Sequence, residues 1–506
     1  MAVASLLVEI KWPLVALLIA LYAIRKVISY NRLRQFKGPP GTGFSDIPHS
    51  RAFLSGKCHE WYAEVSEKYG PVARIAPNVL ITSSPEIWTR VNSIRSPYKR
   101  SKWFYQACRI EYGRDNVFSQ IDDDAHEKRR KQMAPGYAGK ENLELEPNID
   151  GCVKDLIRLI RSKYLSSDAK VTPMDLAQKI QYFTLDVISL VGLGKSFGML
   201  TADTDVDDFI KSSEEGLHVA NFCCALNISW LAQLPVLGPR LCPSPTDKNG
   251  FGKMMATAFK FVDERAAKPV DSRSDMLASF IRHGLTGDQL RSEALEQVVA
   301  GSDTTAGAIR GILLYVLSNP RVYDKLQREI DGAVRNGQAP PAPEIISTAQ
   351  AKELPYLQAV IREGLRIWPP VADIFPRDIP PGGETWTVDG QPVFIPGGTN
   401  IGYSAVAMHH DRKLYGDDAG SFRPERWFER DAEKLAAMIR TNEMIFGYGK
   451  FQCLGKPVAH IEIAKVIFEL LRNFNWGLDN PSSPWKTTNL LGLFVIDDMW
   501  VHVADR

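Results

Sequence analysis

Phe446–Gly455 reads FGYGKFQCLG, a glycine-punctuated loop with one cysteine near its end. After this loop, apolar residues recur at intervals of three and four, which predicts a helix. These apolar residues are Val458, Ile461, Ile463, Ala464, Ile467, Phe468, Leu470 and Leu471. Pro457 suits the first turn of that helix, where its missing N–H costs no hydrogen bond. The pattern therefore predicts a tight loop that brings Cys453 to the start of a helix.

Cys453 would face the unpaired N–H groups and the positive end of this helix. That setting lowers the pKa of a thiol and stabilises the thiolate. A thiolate held in this way is a good axial ligand for haem iron, and Gly447, Gly449 and Gly455 would let a flat group approach the backbone closely. The alternative is that Cys453 is a small buried apolar residue, as single cysteines usually are.

The spacing of Phe446, Gly449, Cys453 and Gly455 resembles the haem-thiolate signature of the cytochromes P450. That family usually has arginine or histidine two residues before the cysteine, where this chain has Phe451. The resemblance implies a P450 fold, mainly α with small β-sheets, and haem b whose iron is bound by the thiolate of Cys453. The sequence around these residues resembles that of filamentous-fungal microsomal members of the family, including pisatin-demethylase-like members.

A second motif lies inside a long predicted helix. Thr286–Gln289 is typical of a capping box, and a helical pattern continues from it to Ser318. The centre of this helix, Ala300–Thr305, reads AGSDTT and resembles the P450 motif in the helix that crosses the distal face of the haem. The resemblance implies that Asp303 and Thr304 relay protons to dioxygen. Taken alone, the segment fits an exposed polar patch equally well.

Two further motifs predict a structural network. Glu363 and Arg366 stand one turn apart on a predicted helix, so their side chains can pair. Phe422–Trp427 resembles the Pro-Glu-Arg-Phe motif of the family, with Trp427 in place of phenylalanine. The resemblance implies that Glu363, Arg366 and Arg426 form a buried, bidentate network that fixes the segment before the cysteine loop.

Three residues occupy positions that the family uses to bind haem propionates. His126 and Arg130 have the spacing of the family's third-helix contacts, and Arg377 sits where the family places a propionate-binding arginine. Arg129 and Lys131 would then face outward and contribute to a basic surface for an acidic reductase. The alternative for this charge run is an ordinary solvated helix face.

Two segments are expected to line a substrate cavity above the haem, Val371–Phe375 and Leu490–Ile496. Asp373 stands out as a charge among apolar residues, and we expect it either to meet a polar substrate group or to face water. Apolar residues between positions 222 and 234 resemble the lid of the family, with ordinary core packing as the alternative.

The N-terminal segment is interpreted as a membrane anchor. Residues 2–24 are largely apolar, and a basic cluster follows them, which places the rest of the chain on the cytosolic side. The rival interpretation is a cleaved signal peptide. We therefore predict an anchor at residues 1–28, a basic and proline-rich hinge at residues 29–43, and the catalytic domain at residues 44–506. Microsomal P450s resemble this arrangement, which implies a single-pass anchor in the endoplasmic reticulum membrane.

Composition limits the other function classes. The chain has 506 residues and a formal net charge of +2, so nothing indicates a nucleic-acid partner. Its 7 cysteines have no framework spacing, which is typical of a reducing compartment.

The four motifs occur in the order of the P450 family, which implies a monooxygenase. Such an enzyme oxidises a hydrophobic small molecule with electrons from an NADPH-dependent reductase. Cytochrome b5 can assist the reductase. We expect a fungal secondary-metabolite intermediate as the substrate. Two alternatives remain open: a P450-fold isomerase or dehydratase that needs no O₂, and a non-catalytic, membrane-attached binding protein.

Overall fold

A computed structural model describes residues 2–268 and 275–506 of the chain. Helices dominate, in agreement with the predicted fold class. Within the described residues the α-helices are α1 (Ala2–Arg32), α2 (Ile47–Leu54), α3 (Cys58–Tyr69), α4 (Pro85–Asn92), α5 (Lys102–Tyr105), α6 (Asp123–Tyr137), α7 (Leu145–Lys163), α8 (Leu176–Leu193), α9 (Met199–Ala202), α10 (Phe209–Ala225), α11 (Gly238–Leu241), α12 (Gly250–Ala266), α13 (Met276–Arg282), α14 (Gly287–Leu317), α15 (Pro320–Arg335), α16 (Thr348–Lys352), α17 (Pro355–Ile367), α18 (Ala405–His409), α19 (Arg412–Tyr415), α20 (Ala432–Glu443) and α21 (Lys456–Asn473).

The strands form small sheets at the margin of the helical body. They are β1 (Val72–Ala76), β2 (Val79–Thr82), β3 (Lys99–Arg100), β4 (Met174–Asp175), β5 (Arg377–Asp378), β6 (Glu384–Val388), β7 (Gln391–Ile395), β8 (Asn400–Tyr403), β9 (Phe474–Leu478), β10 (Lys486–Leu490), β11 (Leu493–Asp497) and β12 (Trp500–Asp505). The largest sheet has the order β1-β2-β8-β5-β3, and β4-β12-β9 forms a second one. The β6–β7 and β10–β11 pairs are separate antiparallel hairpins.

One register in the largest sheet positions the candidate site. Strands β3 and β5 pair antiparallel, with Arg100 directly opposite Arg377. Side chains that face each other across a strand pair point to the same side of a sheet. The two arginines therefore emerge together, although they lie 277 positions apart in the chain.

The long helix α14 runs through the centre of the molecule and packs against α8, α17 and α21. Its bounds agree with the predicted helix, which begins after Thr286 and ends before Ser318. The predicted capping box is wrong, however, because Thr286 makes no side-chain hydrogen bond to the helix. Burial of most of the apolar residues of α14 stabilises the helix without that cap.

The predicted structural network is confirmed at the C-terminal end of α17. Arg366 donates to both carboxylate oxygens of Glu363 at 3.0 and 2.8 Å, and Arg426 donates to Glu363 at 2.8 Å. Trp427 Nε1 also donates to Glu363, at 3.1 Å, so the tryptophan that replaces phenylalanine adds a bond. Arg366 further donates to the carbonyl of His409. Because all three charges are buried and paired, this network fixes the chain segment that leads to the cysteine loop.

The C-terminal end of helix α1 is attached to the rest of the fold. Arg74 donates to the carbonyls of Ser29, Tyr30 and Gly43, and the Tyr30 ring stacks on Phe44 with centroids 4.4 Å apart. The predicted hinge region therefore contacts the sheet closely.

The predicted membrane anchor receives no support from the described part of the chain. None of the helices described there combines the length and apolar character needed to cross a membrane. Of the predicted anchor, residue 1 and the side chains of residues 2–11 and 14 lie outside the described residues.

Candidate active site

A large internal cavity of about 1030 Å³ lies between α14 and the cysteine loop. Most of its walls are apolar, and a few polar groups converge on it, which is typical of a small-molecule site. The predicted loops contribute Val371, Phe375, Leu491 and Leu493, and the predicted lid region contributes Cys223, Ile228 and Leu231. The expectation that these segments line a cavity is thus confirmed for these residues.

Cys453 stands in the wall of this cavity, directly before α21. The residue is exposed although protein surrounds it, because its exposed surface faces the cavity. The loop is closed by the Cys453 N–H, which donates to the Phe446 carbonyl at 2.7 Å. Gly449 has φ +58, and a Cβ there would lie 2.1 Å from the Asn92 carbonyl oxygen, so only glycine fits this turn.

The prediction of a lowered thiol pKa is wrong for Cys453. The N–H groups of Gly455 and Lys456 do donate to the sulfur and favour the thiolate, as expected at a helix start. Burial outweighs them and raises the pKa of Cys453 above its usual value. The sequence pattern indicates the donors correctly, but it does not reveal how little water reaches the sulfur.

His126 and Arg130 lie one turn apart on α6 and both line the cavity, as predicted. His126 is buried, and its Nε2 has no hydrogen-bond partner among the described residues. Arg130 likewise makes no ion pair or hydrogen bond with any described residue. Burial, together with Arg100, Arg130, Arg377 and Lys450, lowers the pKa of His126 to about 2. The two side chains therefore offer donors and positive charge to a group from outside the protein.

Arg377 also lines the cavity, and Arg100 beside it is a site residue that sequence reasoning missed. Arg100 donates to the carbonyls of Val117 and Gln120 at 2.8 and 3.0 Å, and its Nε has no partner among the described residues. Burial, and then the charge of Arg377, lowers the pKa of Arg100 to about 10. The strand β3 has only two residues, so no periodicity marks it in the sequence.

The ring of Phe451 supports these arginines at the position where the family usually has a charged residue. The guanidinium carbon of Arg377 lies 4.2 Å from the ring centroid, and that of Arg100 lies 4.6 Å from it. The His126 ring is 5.3 Å away, centroid to centroid. The neighbouring Lys450 is engaged with Asp123 at 3.0 Å. Where the family usually has a hydrogen-bond donor, Phe451 thus provides an aromatic face that contacts two other donors, Arg377 and Arg100.

The residues present fit haem b. Buried cations without a carboxylate partner are costly, so the buried Arg100 and Arg377 call for an anion, and the half-buried Arg130 adds to the positive charge beside them. Among the described residues, none of these three has a carboxylate within ion-pair distance. Haem b carries two propionates for such donors and an iron that a thiolate such as Cys453 can bind. The cavity therefore provides both kinds of contact that haem needs.

The structure separates Asp303 from Thr304. Thr304 lines the cavity, and its hydroxyl donates to the Ala300 carbonyl at 2.8 Å. Asp303 points instead toward α8, where it accepts a hydrogen bond from Gln181 Nε2, and burial raises its pKa. Their joint role in proton transfer stays a prediction.

Asp373 takes neither of its expected positions. It is 1% exposed, so it does not face water, and it is absent from the described cavity wall. One carboxylate oxygen accepts the Ile374 N–H at 2.6 Å, and the other has no partner among the described residues. Burial raises the pKa of Asp373 to about 7. The alternation of an extended chain is interrupted here, because Phe375 has a φ of +42, so Asp373 does not share the cavity-facing side of Val371 and Phe375.

The outward orientation predicted for Arg129 is also wrong. Arg129 forms an ion pair with Glu293 of α14, and its side chain is 15% exposed. The buried carboxylate of Glu293 pairs with Arg129, and no local pattern in α6 indicates a partner so distant in sequence. Lys131 does face solvent, paired with Glu127 on the same helix.

Comparison with known proteins agrees with this geometry. The family model described as cytochrome P450 matches residues 39–498. The chain is similar to cytochrome P450 monooxygenase ABA1 of Pyricularia oryzae, at 40% identity over 95% of this chain and 94% of that protein. It is also similar to cytochrome P450 monooxygenase aba1 of Botryotinia fuckeliana, at 38% identity over 91% of this chain and 90% of that protein.

A more distant relative is cytochrome P450 monooxygenase gsfF of Penicillium aethiopicum, which is 30% identical over 84% of each chain. The match to the family model covers the whole described site, from His126 to Cys453. The chain therefore belongs to the cytochrome P450 family of haem-thiolate monooxygenases.

Proposed function

We propose that the chain inserts one oxygen atom of O₂ into an apolar small molecule while the other atom becomes water, with two electrons supplied by NADPH through a reductase. The observation that carries this proposal is one cavity that has the thiol of Cys453, the hydroxyl of Thr304 and three arginines without carboxylate partners among the described residues. Haem b held there supplies the chemistry that activates O₂.

The residues of the chain divide the remaining work. Cys453 holds the iron, and Arg100, Arg130, Arg377 and His126 orient the propionates. The Thr304 hydroxyl, now donated to a helix carbonyl, can rotate and pass a proton into the cavity. The apolar walls keep bulk water from the reacting atoms.

Asp303 completes this proposal from the far side of α14. Burial raises the pKa of its carboxyl group, which favours the protonated form, and Gln181 fixes its orientation. Because Asp303 does not line the cavity, a proton must pass from it to Thr304 along the helix surface or through water. Asp303 therefore supplies protons, and Thr304 delivers them.

The substrate class follows from the cavity and the relatives. The apolar walls suit a hydrophobic molecule in the part of the cavity, about 1030 Å³ in total, that haem b would leave free. The fungal relatives favour a secondary-metabolite intermediate, which the enzyme would hydroxylate, epoxidise or demethylate. An NADPH-cytochrome P450 reductase would deliver the electrons, and cytochrome b5 would assist it.

We place the enzyme at the cytosolic face of the endoplasmic reticulum membrane. The described part of α1 exposes Leu17, Leu18 and Ile19 to more than half of their area, and Arg25 and Lys26 follow on the same helix. Such an apolar helix with a basic end suits a membrane surface. Membrane fractionation tests this placement: loss of residues 1–28 should release the protein, and retention without them would contradict it.

Isotope labelling tests the proposed reaction. The purified holoenzyme, reconstituted with an NADPH-dependent reductase, is supplied with a panel of apolar terpenoid and polyketide probes under heavy-oxygen O₂. We expect one labelled oxygen atom in a hydroxylated or epoxidised product, or NADPH-dependent release of formaldehyde where a methyl group is removed, and neither with Cys453→Ala. Conversion that needs neither O₂ nor NADPH would indicate the isomerase or dehydratase alternative.

A further inference from the structure

Glu296 places a carboxylate in the wall of the substrate cavity. It lies on α14 together with Ala300 and Thr304, and all three line the cavity. Residues four apart share one face of a helix, and eight residues span about 12 Å along its axis. Ala300 between them carries only a methyl group, so it leaves the space from Glu296 to Thr304 open.

Only one oxygen of this carboxylate is engaged by the protein. Asn116 Nδ2 donates to Glu296 Oε2 at 2.8 Å. The orientation of Asn116 is fixed, because its own carbonyl accepts the N–H groups of Phe118 and Ser119 at 3.0 and 2.8 Å. Glu296 Oε1 makes no hydrogen bond with any residue that the structure describes.

Glu293, one turn earlier on the same helix, shows how a purely structural carboxylate differs. Its Oε2 accepts the Val117 N–H at 3.0 Å, and its Oε1 is paired with Arg129. Both oxygens are thus engaged, and the side chain is fully buried. Glu296 is therefore the carboxylate of this pair that has bonding capacity left, and it is the one that lines the cavity.

We propose that Glu296 determines substrate specificity by binding a hydroxyl group of an otherwise apolar substrate. The substrate would extend along the open face of α14, with its hydroxyl at Glu296 and its reacting end near Thr304 and Cys453. This inference rests on the proposed function, because it assumes that the cavity is the substrate site.

A hydroxyl suits this carboxylate better than other polar groups do. Burial, reinforced by Glu293, raises the pKa of Glu296 to about 7, so both protonation states are populated near neutral pH. A hydroxyl donates to the ionised form and accepts from the protonated form. A ligand without a donor would leave a buried carboxylate oxygen unpaired, which is the strongest form of polar discrimination that a site can apply.

Binding of a matched pair of ligands tests the proposal. The probes are n-dodecanol and its methyl ether, whose extended chains can reach from Glu296 toward Thr304. Dissociation constants for the holoenzyme are measured by equilibrium dialysis. We expect the alcohol to bind about tenfold more tightly than the ether. In Glu296→Gln the side-chain shape is kept, but the amide group can donate to the ether oxygen, so the preference should fall to about one.

Glu293→Gln is the control, since it makes the same change one turn away. It should keep the preference for the alcohol while lowering the melting temperature, because it weakens the pair with Arg129. Equal binding of the two probes to the unmodified enzyme, or an unchanged preference in Glu296→Gln, would overturn the proposal. A thiolate-type CO spectrum in all variants would show that the proposed function stands independently of that result.

Discussion

At the scale of single residues, Phe451 illustrates how one function can be kept with different chemistry. The family usually has a charged donor at this position, whereas this chain has an aromatic ring. Arg377 and Arg100 lie over that ring at 4.2 and 4.6 Å. The ring lowers the cost of holding two buried guanidinium groups side by side, because its face is negative.

Replacing Phe451 by leucine should therefore loosen both arginines. Phe451→Leu keeps an apolar side chain but removes two cation–π contacts, so we expect the free energy of unfolding to fall by about 2 kcal/mol. Chemical denaturation measures this change. Phe428→Leu is the matched control, because Phe428 is 49% exposed and should tolerate the same change. Equal stability of the two variants would mean that the hydrogen bonds of the two arginines, to backbone carbonyls and to Asn92 and Tyr105, hold them without the ring.

Asp373 is a second residue whose effect depends on its surroundings. Its carboxyl group is buried beside the thiols and phenols of Cys58, Tyr62 and Cys224, and its pKa is raised to about 7. The unfolded chain releases this proton near pH 4, while the folded chain retains it to about pH 7. The folded state therefore loses stability as pH rises through this window.

Asp373→Asn should remove this pH dependence. We expect the variant to gain stability relative to the unmodified protein at about pH 8, by up to about 4 kcal/mol, and to gain little at about pH 4. Melting temperatures across this pH range measure the difference. A loss of stability at high pH would show that the ionised carboxylate has a partner that favours it.

At the scale of elements, glycines allow the central helices to approach closely. Gly301 of α14 lines the cavity, and a Cβ there would lie 2.8 Å from Ile188 of α8. On α17, a Cβ at Gly364 would lie 2.4 Å from Ile312 of α14 and 3.2 Å from its Cα. The contact between α14 and α17, which supports the Glu363 network, therefore depends on the absence of a side chain.

Two alanine substitutions separate helix propensity from helix packing. Gly364→Ala should reduce the free energy of unfolding by about 2 kcal/mol, because the new methyl group overlaps Ile312. Gly332→Ala, inside α15 with nothing within 4 Å of its added Cβ, should instead increase it by up to about 1 kcal/mol. Thermal melts of both variants provide the test, and stabilisation by Gly364→Ala would contradict the packing argument.

At the scale of the whole molecule, sequence patterns predicted the features that neighbouring residues encode. They missed the features that depend on contacts between distant segments. The fold class, the bounds of α14, the helix that follows the cysteine loop and the Glu363 network are confirmed, because periodicity and known motifs encode them. Arg100 was missed because a two-residue strand has no pattern. Arg129 was misplaced because its partner, Glu293, lies 164 positions away.

The pKa values of Cys453 and Asp373 are raised by the same cause, burial, which the sequence alone does not reveal. For Cys453 and Asp373, burial exceeds the local hydrogen bonds that favour the charged form. Burial depends on segments that arrive from the whole chain, so it becomes visible only in the folded structure. The sequence predicted that helix N–H groups favour the thiolate of Cys453, but it did not predict that burial outweighs them.

The CO difference spectrum of the reduced, purified protein tests whether Cys453 binds haem iron as a thiolate. We expect a Soret band at about 450 nm, as thiolate ligation implies. Cys453→His should lose that band while keeping a haem-sized cavity. A band at about 420 nm in the unmodified, correctly folded protein, or no bound haem, would contradict the account.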